Sequence, residues 1–507
     1  MVRPGQDPTA PLGDKTPQVS ADHLADVGQR AGLAMIWQAM LHGSEKLIDL
    51  ARLLILAAIL TPEDFGLLAV SLVAVRVFAG LTEMGVTLAL IQRRSAEAVH
   101  YDTAWTFGVL RGLAVAVLVA AAAPWIADFL REPRAVDIIR VLGLSPLLQS
   151  LASMGIVDLT RNLRFRPLTI LRLSGSLAGA LTAVGLASNF GVWALVAGAL
   201  VGPSVFSLLS YVIAPYRPRL RLDWTAGRSL IRFGQWIFVT GLIAMAGHAV
   251  LQAVISRRLG TVDLGLYFLA FKLTFVLSDV GQQVISNVAF PLYARLQGSP
   301  HEVARVNRSI LVAMSILLLP PFAILIALAP AVPEILGAKW AGVAPLIQIL
   351  SVAAMIGLYA DTAVPLFQGL GRPSRVSILE AAQSSILILG VLALTGPFGL
   401  IGAVSSWVLA LFASLLIALA FVSRLIRKPF EGITGLLAAI ACATVAGGLL
   451  AYGLHGVLPG VAGAIAAGLI SISAAWGGLW LSDGKWGLGL RVSITLLFPR
   501  LGVEDPG

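Results

Sequence analysis

The chain has 507 residues, 58% of them hydrophobic and only 12% charged, and its mean hydropathy is +0.88. A soluble protein carries about 25% charged residues, so a water-soluble domain is excluded and an all-α polytopic membrane protein is expected. The formal charge of +10 comes with no basic run interleaved with aromatics. Nucleic acid is therefore not the implied partner, and basic cytoplasmic loops explain the excess. One cysteine, Cys442, and six scattered histidines without HExxH spacing offer neither a disulfide framework nor a metal site.

Residues 1–30 are polar, contain Pro4, Pro8, Pro11 and Pro17, and read as a disordered cytoplasmic tail without a signal-peptide core. Apolar runs of about 20 residues then recur, the length of a membrane-spanning helix. About fourteen spans are expected, near 33–60, 66–90, 104–127, 137–157, 168–188, 192–214, 233–256, 264–289, 309–330, 343–367, 376–395, 400–423, 433–453 and 460–481. Alternating the loops puts QRR (92–94), TRNLRFRP (160–167), YRPRLRLDWTAGRSLIR (216–232), GRPSR (371–375) and SRLIRK (423–428) on one side. TPEDFG, REPRAV, SNFG, LGAKWAG and TGPFG fall on the other. The asymmetry predicts that both termini lie in the cytoplasm. Arg257 and Arg258 break it, and phosphate contact at the outer interface is the only role they suggest. All loops are short, which leaves no external domain for enzymatic chemistry.

The charges carry a repeat. DFGL (64–67) is followed by Arg76, Glu83 and Gly85, and DLGL (263–266) by Lys272, Asp279 and Gly281. FRP (165–167) answers GRP (371–373), and FGVWALV (190–196) answers FGLIGAV (398–404). Copies six helices apart keep one orientation, so the two are expected to be related by a pseudo-two-fold axis along the membrane normal. The expected organisation is an N-lobe at 31–215 (helices 1–6), a basic cytoplasmic linker at 216–232 and a C-lobe at 233–425 (helices 7–12). Helices 13 and 14 at 426–482 and a cytoplasmic tail at 483–507 follow.

The first span holds His42, Glu45, Lys46, Asp49 and Arg52. At 100° per residue, Gln38, His42, Glu45, Asp49 and Arg52 fall on one line and Lys46 on its flank. Arg76, Gly80, Glu83 and Thr87 form a second stripe, and Lys272, Asp279, Gln283 and Ser286 a third. Against lipid each mid-span charge costs about 2.5–3.5 kcal/mol, so these stripes face protein or a wet cavity. Ion pairs that merely lock the bundle are the alternative, although buried pairs seldom stabilise more than apolar packing. Arg111, Asp361 and Glu380 are weaker candidates, and His248 and Gln252 share a face of the seventh span.

LTPEDFGLLAV (60–70), ALIQRR (89–94), RNLRFRPL (161–168), GVWALVAG (191–198), YRPRLRLD (216–223), SRRLGTVDLGLY (256–267), FPLYARLQ (290–297) and LFQGLGRPS (366–374) occur in order. Together this set resembles the bacterial polysaccharide transporter family, over roughly residues 30 to 430. Its superfamily also holds lipid II flippases and multidrug and toxic compound extrusion transporters. The resemblance implies two six-helix lobes, alternating access, and flipping of a polyprenyl-diphosphate-linked oligosaccharide for exopolysaccharide, capsule or O-antigen synthesis. One departure is AVLQAVISRRLG, where Leu251 and Gln252 stand in place of an acidic and an amide residue of relatives.

For such a substrate, Arg52, Arg76, Lys272, Lys46 and Arg111 are the expected cavity cations, since arginine and lysine suit a diphosphate. Glu45, Asp49, Glu83, Asp279 and Asp361 either hold those cations or serve proton or sodium coupling. No cofactor is implied. The expected partners are the lipid-linked oligosaccharide, membrane lipids and a glycan polymerase or co-polymerase. A multidrug antiporter, a glycan polymerase or ligase, and a non-transporting scaffold are the rival readings.

Overall fold

A computed structural model describes residues 43–82, 90, 97–162, 164–426 and 434–457, with scattered positions up to 476. Helices α1 (43–59), α2 (Pro62–Thr82), α3 (Ala98–Phe129), α4 (Ala135–Leu142), α5 (Ser145–Ser150), α6 (Gly155–Arg161), α7 (Phe165–Phe190) and α8 (Val192–Ile213) make the first half. The second half contains α9 (Trp224–Leu259), α10 (Thr261–Arg295), α11 (Pro300–Leu328), α12 (Ala331–Leu336), α13 (Val343–Asp361), α14 (Ala363–Gly369) and α15 (Ser374–Ser423). Helix α16 (Thr434–Val457) follows. The described residues include no strand. This is an all-α, multi-pass membrane protein.

Among the described residues, nine helices are long and apolar enough to cross a membrane, or ten if the bent pair Ala135–Ser150 and Gly155–Arg161 is one span. The long α15 carries two of the expected spans, because its backbone reverses at Gly399. The fourteenth expected span, 460–481, lies largely outside the described residues. Helix α9 starts at Trp224, nine residues before the expected span, so the linker's extended part is confined to 215–223.

The linker is strapped to the first half. Tyr216 donates to Asp102 Oδ1 at 2.5 Å, and the Arg219 and Arg221 amides donate to Asp102 Oδ1 and Thr106 Oγ1 at 3.1 Å each. The amide of Asp223 donates to Thr103 Oγ1 at 3.3 Å. These bonds satisfy backbone groups that an extended segment leaves open.

The repeat is visible in the backbone. Gly191, after Phe190, has φ 53 and ψ −130, and Gly399, after Phe398, has φ 56 and ψ −138. Both FG corners turn the chain through the left-handed region, where a Cβ is disfavoured. The fourth span breaks into α4, α5 and α6, and its counterpart breaks between α13 and α14. At the centre, a Cβ on Gly66 would run into the Thr261 carbonyl, and one on Gly265 into the Pro62 carbonyl. Pro62 and Thr261 are equivalent positions of the two copies, as are Gly66 and Gly265, so α2 and α10 make a reciprocal contact about the pseudo-two-fold axis.

Thr61 and Asp64 explain how α2 begins. Pro62 occupies the first helical turn, Asp64 Oδ2 accepts from the Thr61 amide at 3.0 Å and its hydroxyl at 2.7 Å, and the Asp64 amide donates to Thr61 Oγ1. This is a capping box with proline just inside the start. The other oxygen, Oδ1, accepts from the Val192 amide at 3.0 Å and so ties α2 to the first FG corner.

One hydrophobic core joins the halves at the end where α2 and α10 begin. It includes Leu56, Phe65, Leu68 and Ile139 from the first half and Leu251, Tyr267, Trp340 and Leu346 from the second. Trp340 Nε1 donates to Ala57 O at 2.8 Å, Lys339 Nζ to Ala58 O at 2.8 Å, and the Phe65 and Trp340 rings meet edge-on at 5.5 Å. Glu132, held by Arg134 at 2.6 Å, accepts from Thr261 Oγ1 at 3.4 Å across the seam, and Arg134 also pairs with Glu63 at 2.7 Å. The two carboxylates raise the Arg134 pKa further above its ordinary value. We call this the sealed end. Towards the other, basic-loop end the cores separate. Leu90, Tyr101, Ala104 and Val157 cluster within the first half, while a second cluster around Tyr293, Phe322 and Phe367 belongs to the second.

Candidate functional site: the central cavity

A cavity of about 480 Å³ lies between the halves on the basic side of the sealed end. Lys46, Asp49, Arg52, Leu53 and Leu56 of α1 and Leu68, Leu72 and Arg76 of α2 line it from the first half. From the second come His248 of α9, Phe271, Lys272, Phe275 and Asp279 of α10, Asp361 of α13, and Gln383 and Trp407 of α15. Four of the five expected cations are therefore brought to one space, together with Asp49, Asp279 and Asp361.

The pairing among them is uneven. Lys46 Nζ meets Asp279 Oδ2 at 2.6 Å across the gap between halves, and Arg52 meets Asp49 at 3.2 Å along α1. Among the described residues, Arg76 and Lys272 have no carboxylate within ion-pair distance. Both are exposed to the cavity, and Lys272 stands over the Phe268 ring at 5.8 Å. Arg76 is fourteen residues into α2 and Lys272 eleven into α10. At 1.5 Å per residue they lie about 21 and about 16 Å from the sealed end, near mid-membrane. The repeat thus places two cations, neither in an ion pair with a described residue, at similar depth on opposite walls.

Helix α1 is turned relative to its expected stripe. Its cavity face runs through Lys46, Leu50 and Leu53, with Asp49, Arg52 and Leu56 beside them. Glu45 lies outside the lining and within electrostatic reach of Arg172 of α7. Lys46, expected on the flank, faces inward because α1 turns Leu50, Leu53 and Leu56 to the cavity along with its charges.

Arg111 lies on α3, half-buried and outside the cavity lining. Glu83, Thr87, Gln38 and His42 lie outside the described residues. Glu380 is also outside the lining but within electrostatic reach of Asp361. Leu251, at the departure from relatives, is fully buried in the joint core.

An aromatic wall was not anticipated. His248 packs 4.8 Å from Trp407 and 5.8 Å from Phe271, Phe271 stacks on Phe275 at 4.3 Å, and Trp407 Nε1 donates to Tyr267 at 3.3 Å. The signal was available, since Phe268, Phe271 and Phe275 recur at the spacing of the Lys272–Asp279 face.

A family model described as "Polysaccharide biosynthesis protein" matches residues 55–345, which include α1's end, the sealed end, Arg76 and Lys272. The chain belongs to this family. Among curated relatives, the chain is 27% identical over 337 residues to Escherichia coli (strain K12) "Lipopolysaccharide biosynthesis protein WzxC". That match covers 65% of this chain and 68% of the relative. It is 29% identical over 329 residues to Rhizobium meliloti (strain 1021) "Succinoglycan biosynthesis transport protein ExoT", covering 63% of this chain and 65% of that one. Its fold is similar to the solved structure of "Lipid II flippase MurJ, inward closed conformation" (TM-score 0.70, 13% identity, 92% of this chain and 99% of that one). It also resembles an inward-facing multidrug resistance transporter of the MATE family (TM-score 0.60, 15% identity, 80% and 99% covered).

Proposed function

We propose that this chain flips a polyprenyl-diphosphate-linked oligosaccharide across the cytoplasmic membrane by alternating access, for assembly of a surface polysaccharide. The reading rests on one observation, the pair Arg76 and Lys272 lining a cavity between two repeated halves with no carboxylate at ion-pair distance among the described residues. An uncompensated cation in that setting is costly unless an anion visits it, and a diphosphate supplies charge-assisted contacts to both. The prenyl tail never has to leave lipid, and the aromatic wall offers apolar faces to sugar rings beside polar edges. The names of the relatives, a lipopolysaccharide biosynthesis protein and a succinoglycan transport protein, point the same way.

In this proposal the basic loops and both termini face the cytoplasm, so the sealed end faces outward. The chain works as a transporter, not as a catalyst. Lys46, Asp49, Arg52 and Asp279 set the polar path below the two cations, and Asp361 is the candidate for proton or sodium coupling. The aromatic wall and Asp361 suit an organic cation, as the antiporter reading requires, but two uncovered cations oppose one.

The test is a deletion strain complemented with wild type or variants, scored for surface glycan and for lipid-linked repeat units. Loss of display with accumulation of those units in the deletion, both reversed by wild type, supports the proposal. Normal display in the deletion, or loss without accumulation, overturns it.

A further inference from the structure

A second cavity, about 930 Å³, runs up the seam between the halves to the sealed end and is separate from the central one. Its walls are Val77 and Phe78 of α2, Trp125 and Phe129 of α3, Ala253 of α9 and Leu392 of α15, among other apolar residues. Its rim is basic: Arg131, Arg257 and Arg258 all line it and all are exposed. Among the described residues that line it there is no acid. Trp125 is 74% exposed, and tryptophan is a residue enriched at the membrane interface.

The arginines are held in place. Arg257 lies over the Phe129 ring at 4.7 Å, and Arg258 Nη1 donates to Leu392 O at 3.1 Å, so each reaches across an element of the groove wall. Arg131 has φ 59 and is the one non-glycine residue with positive φ among those described. It closes α3 where glycine is the usual choice, its amide donating to Asp128 O at 3.0 Å while the Glu132 amide donates to Ala127 O at 2.8 Å. An arginine kept in a glycine position at a cost in backbone strain supports a role for its side chain there.

We infer that this seam groove binds an anionic glycerophospholipid, its phosphate on Arg131, Arg257 and Arg258 and an acyl chain along the apolar walls. From Arg257 to Ala249 the wall falls eight residues, about 12 Å, close to one leaflet of the hydrocarbon core. The site itself rests on geometry, and its placement in the outer leaflet rests on the orientation in the proposed function. It also accounts for the two arginines that break the charge asymmetry of the loops. Because its walls come from both halves, a bound lipid adds to the seal.

The experiment uses the purified full chain, with lipid retention read by native mass spectrometry and thermal stability read in detergent. Phosphatidylglycerol is the probe and phosphatidylcholine the control. Wild type retains phosphatidylglycerol preferentially, and R257Q/R258Q loses about 25-fold of that affinity, at about fivefold per arginine. Ala253→Trp, which fills the groove without altering charge, also lowers retention. Arg131→Gly separates binding from folding, because it removes backbone strain. Its Tm without lipid rises while phosphatidylglycerol affinity falls. Equal retention of the two lipids by wild type, unchanged retention in R257Q/R258Q, or stabilisation by inorganic phosphate alone overturns the inference. So does retention of a prenyl diphosphate in place of phosphatidylglycerol, which would make the groove a product exit. A failed glycan-display test of flipping leaves these readouts untouched.

Discussion

Lys46 and Asp279 meet at 2.6 Å, and they are the basic-end contact that bridges α1 of one half and α10 of the other. Their side chains are 35% and 55% exposed, so the pair is screened and worth about 0–1 kcal/mol. A link that weak is suited to breaking and re-forming. Lys46→Asp and Asp279→Lys each oppose like charges and should lower glycan display, while the double swap recovers most of it. Display in the double variant as low as in either single one would show that the pair does not connect the halves in the working cycle.

Arg76 and Lys272 carry the case for an anionic substrate. Arg76→Ala and Lys272→Ala are each expected to cut surface glycan at least about tenfold, the loss of one charge-assisted contact of roughly 1.5–3 kcal/mol. Lipid-linked repeat units should accumulate and protein levels in the membrane stay unchanged. Blotting with quantification of those intermediates checks it, and full display in both variants removes the residues from the path.

Gly66 and Gly265 touch backbone across the axis, so even one methyl group must push α2 and α10 apart. Overpacking of this kind costs about 1–3 kcal/mol. Gly66→Ala and Gly265→Ala should each lower Tm in detergent, and cross-linking of cysteines placed at the sealed end should weaken in both. Equal Tm in all three proteins would mean that the crossing relaxes at no cost.

Trp340 offers a milder perturbation of the same end. Trp340→Phe keeps the ring beside Phe65 but loses the donor to Ala57 O, leaving a buried carbonyl short of a partner. A loss of about 1 kcal/mol is expected, read as a lower unfolding midpoint. No change would place a water or another donor at that carbonyl.

The internal repeat was readable from short motifs because glycine and aspartate there answer to backbone geometry. DFGL and DLGL mark the crossing of α2 and α10, and the two FG corners mark the same left-handed turn. Arg52, Arg76 and Lys272 were readable because lipid excludes them. Helix rotation was not, as the offset between Glu45 and Lys46 depends on which leucines the neighbouring helices leave uncovered. The role of Asp64 also escaped the sequence, since its partner at Val192 is far along the chain. The aromatic wall escaped as well, because phenylalanines at helical spacing read equally as core.

The glycine crossing has a mechanical consequence. Two helices that meet backbone to backbone present no interlocking side chains at that point, so one can roll on the other with little resistance. The crossing is then a hinge set at the sealed end itself. Trp340, Lys339 and the Phe65 ring clamp the halves beside it, while far from it α1 and α10 are joined, among the described residues, by a solvated ion pair. Cargo held at Arg76 and Lys272 acts about 16–21 Å away from that hinge, so it works on a long arm against a clamp that has almost none.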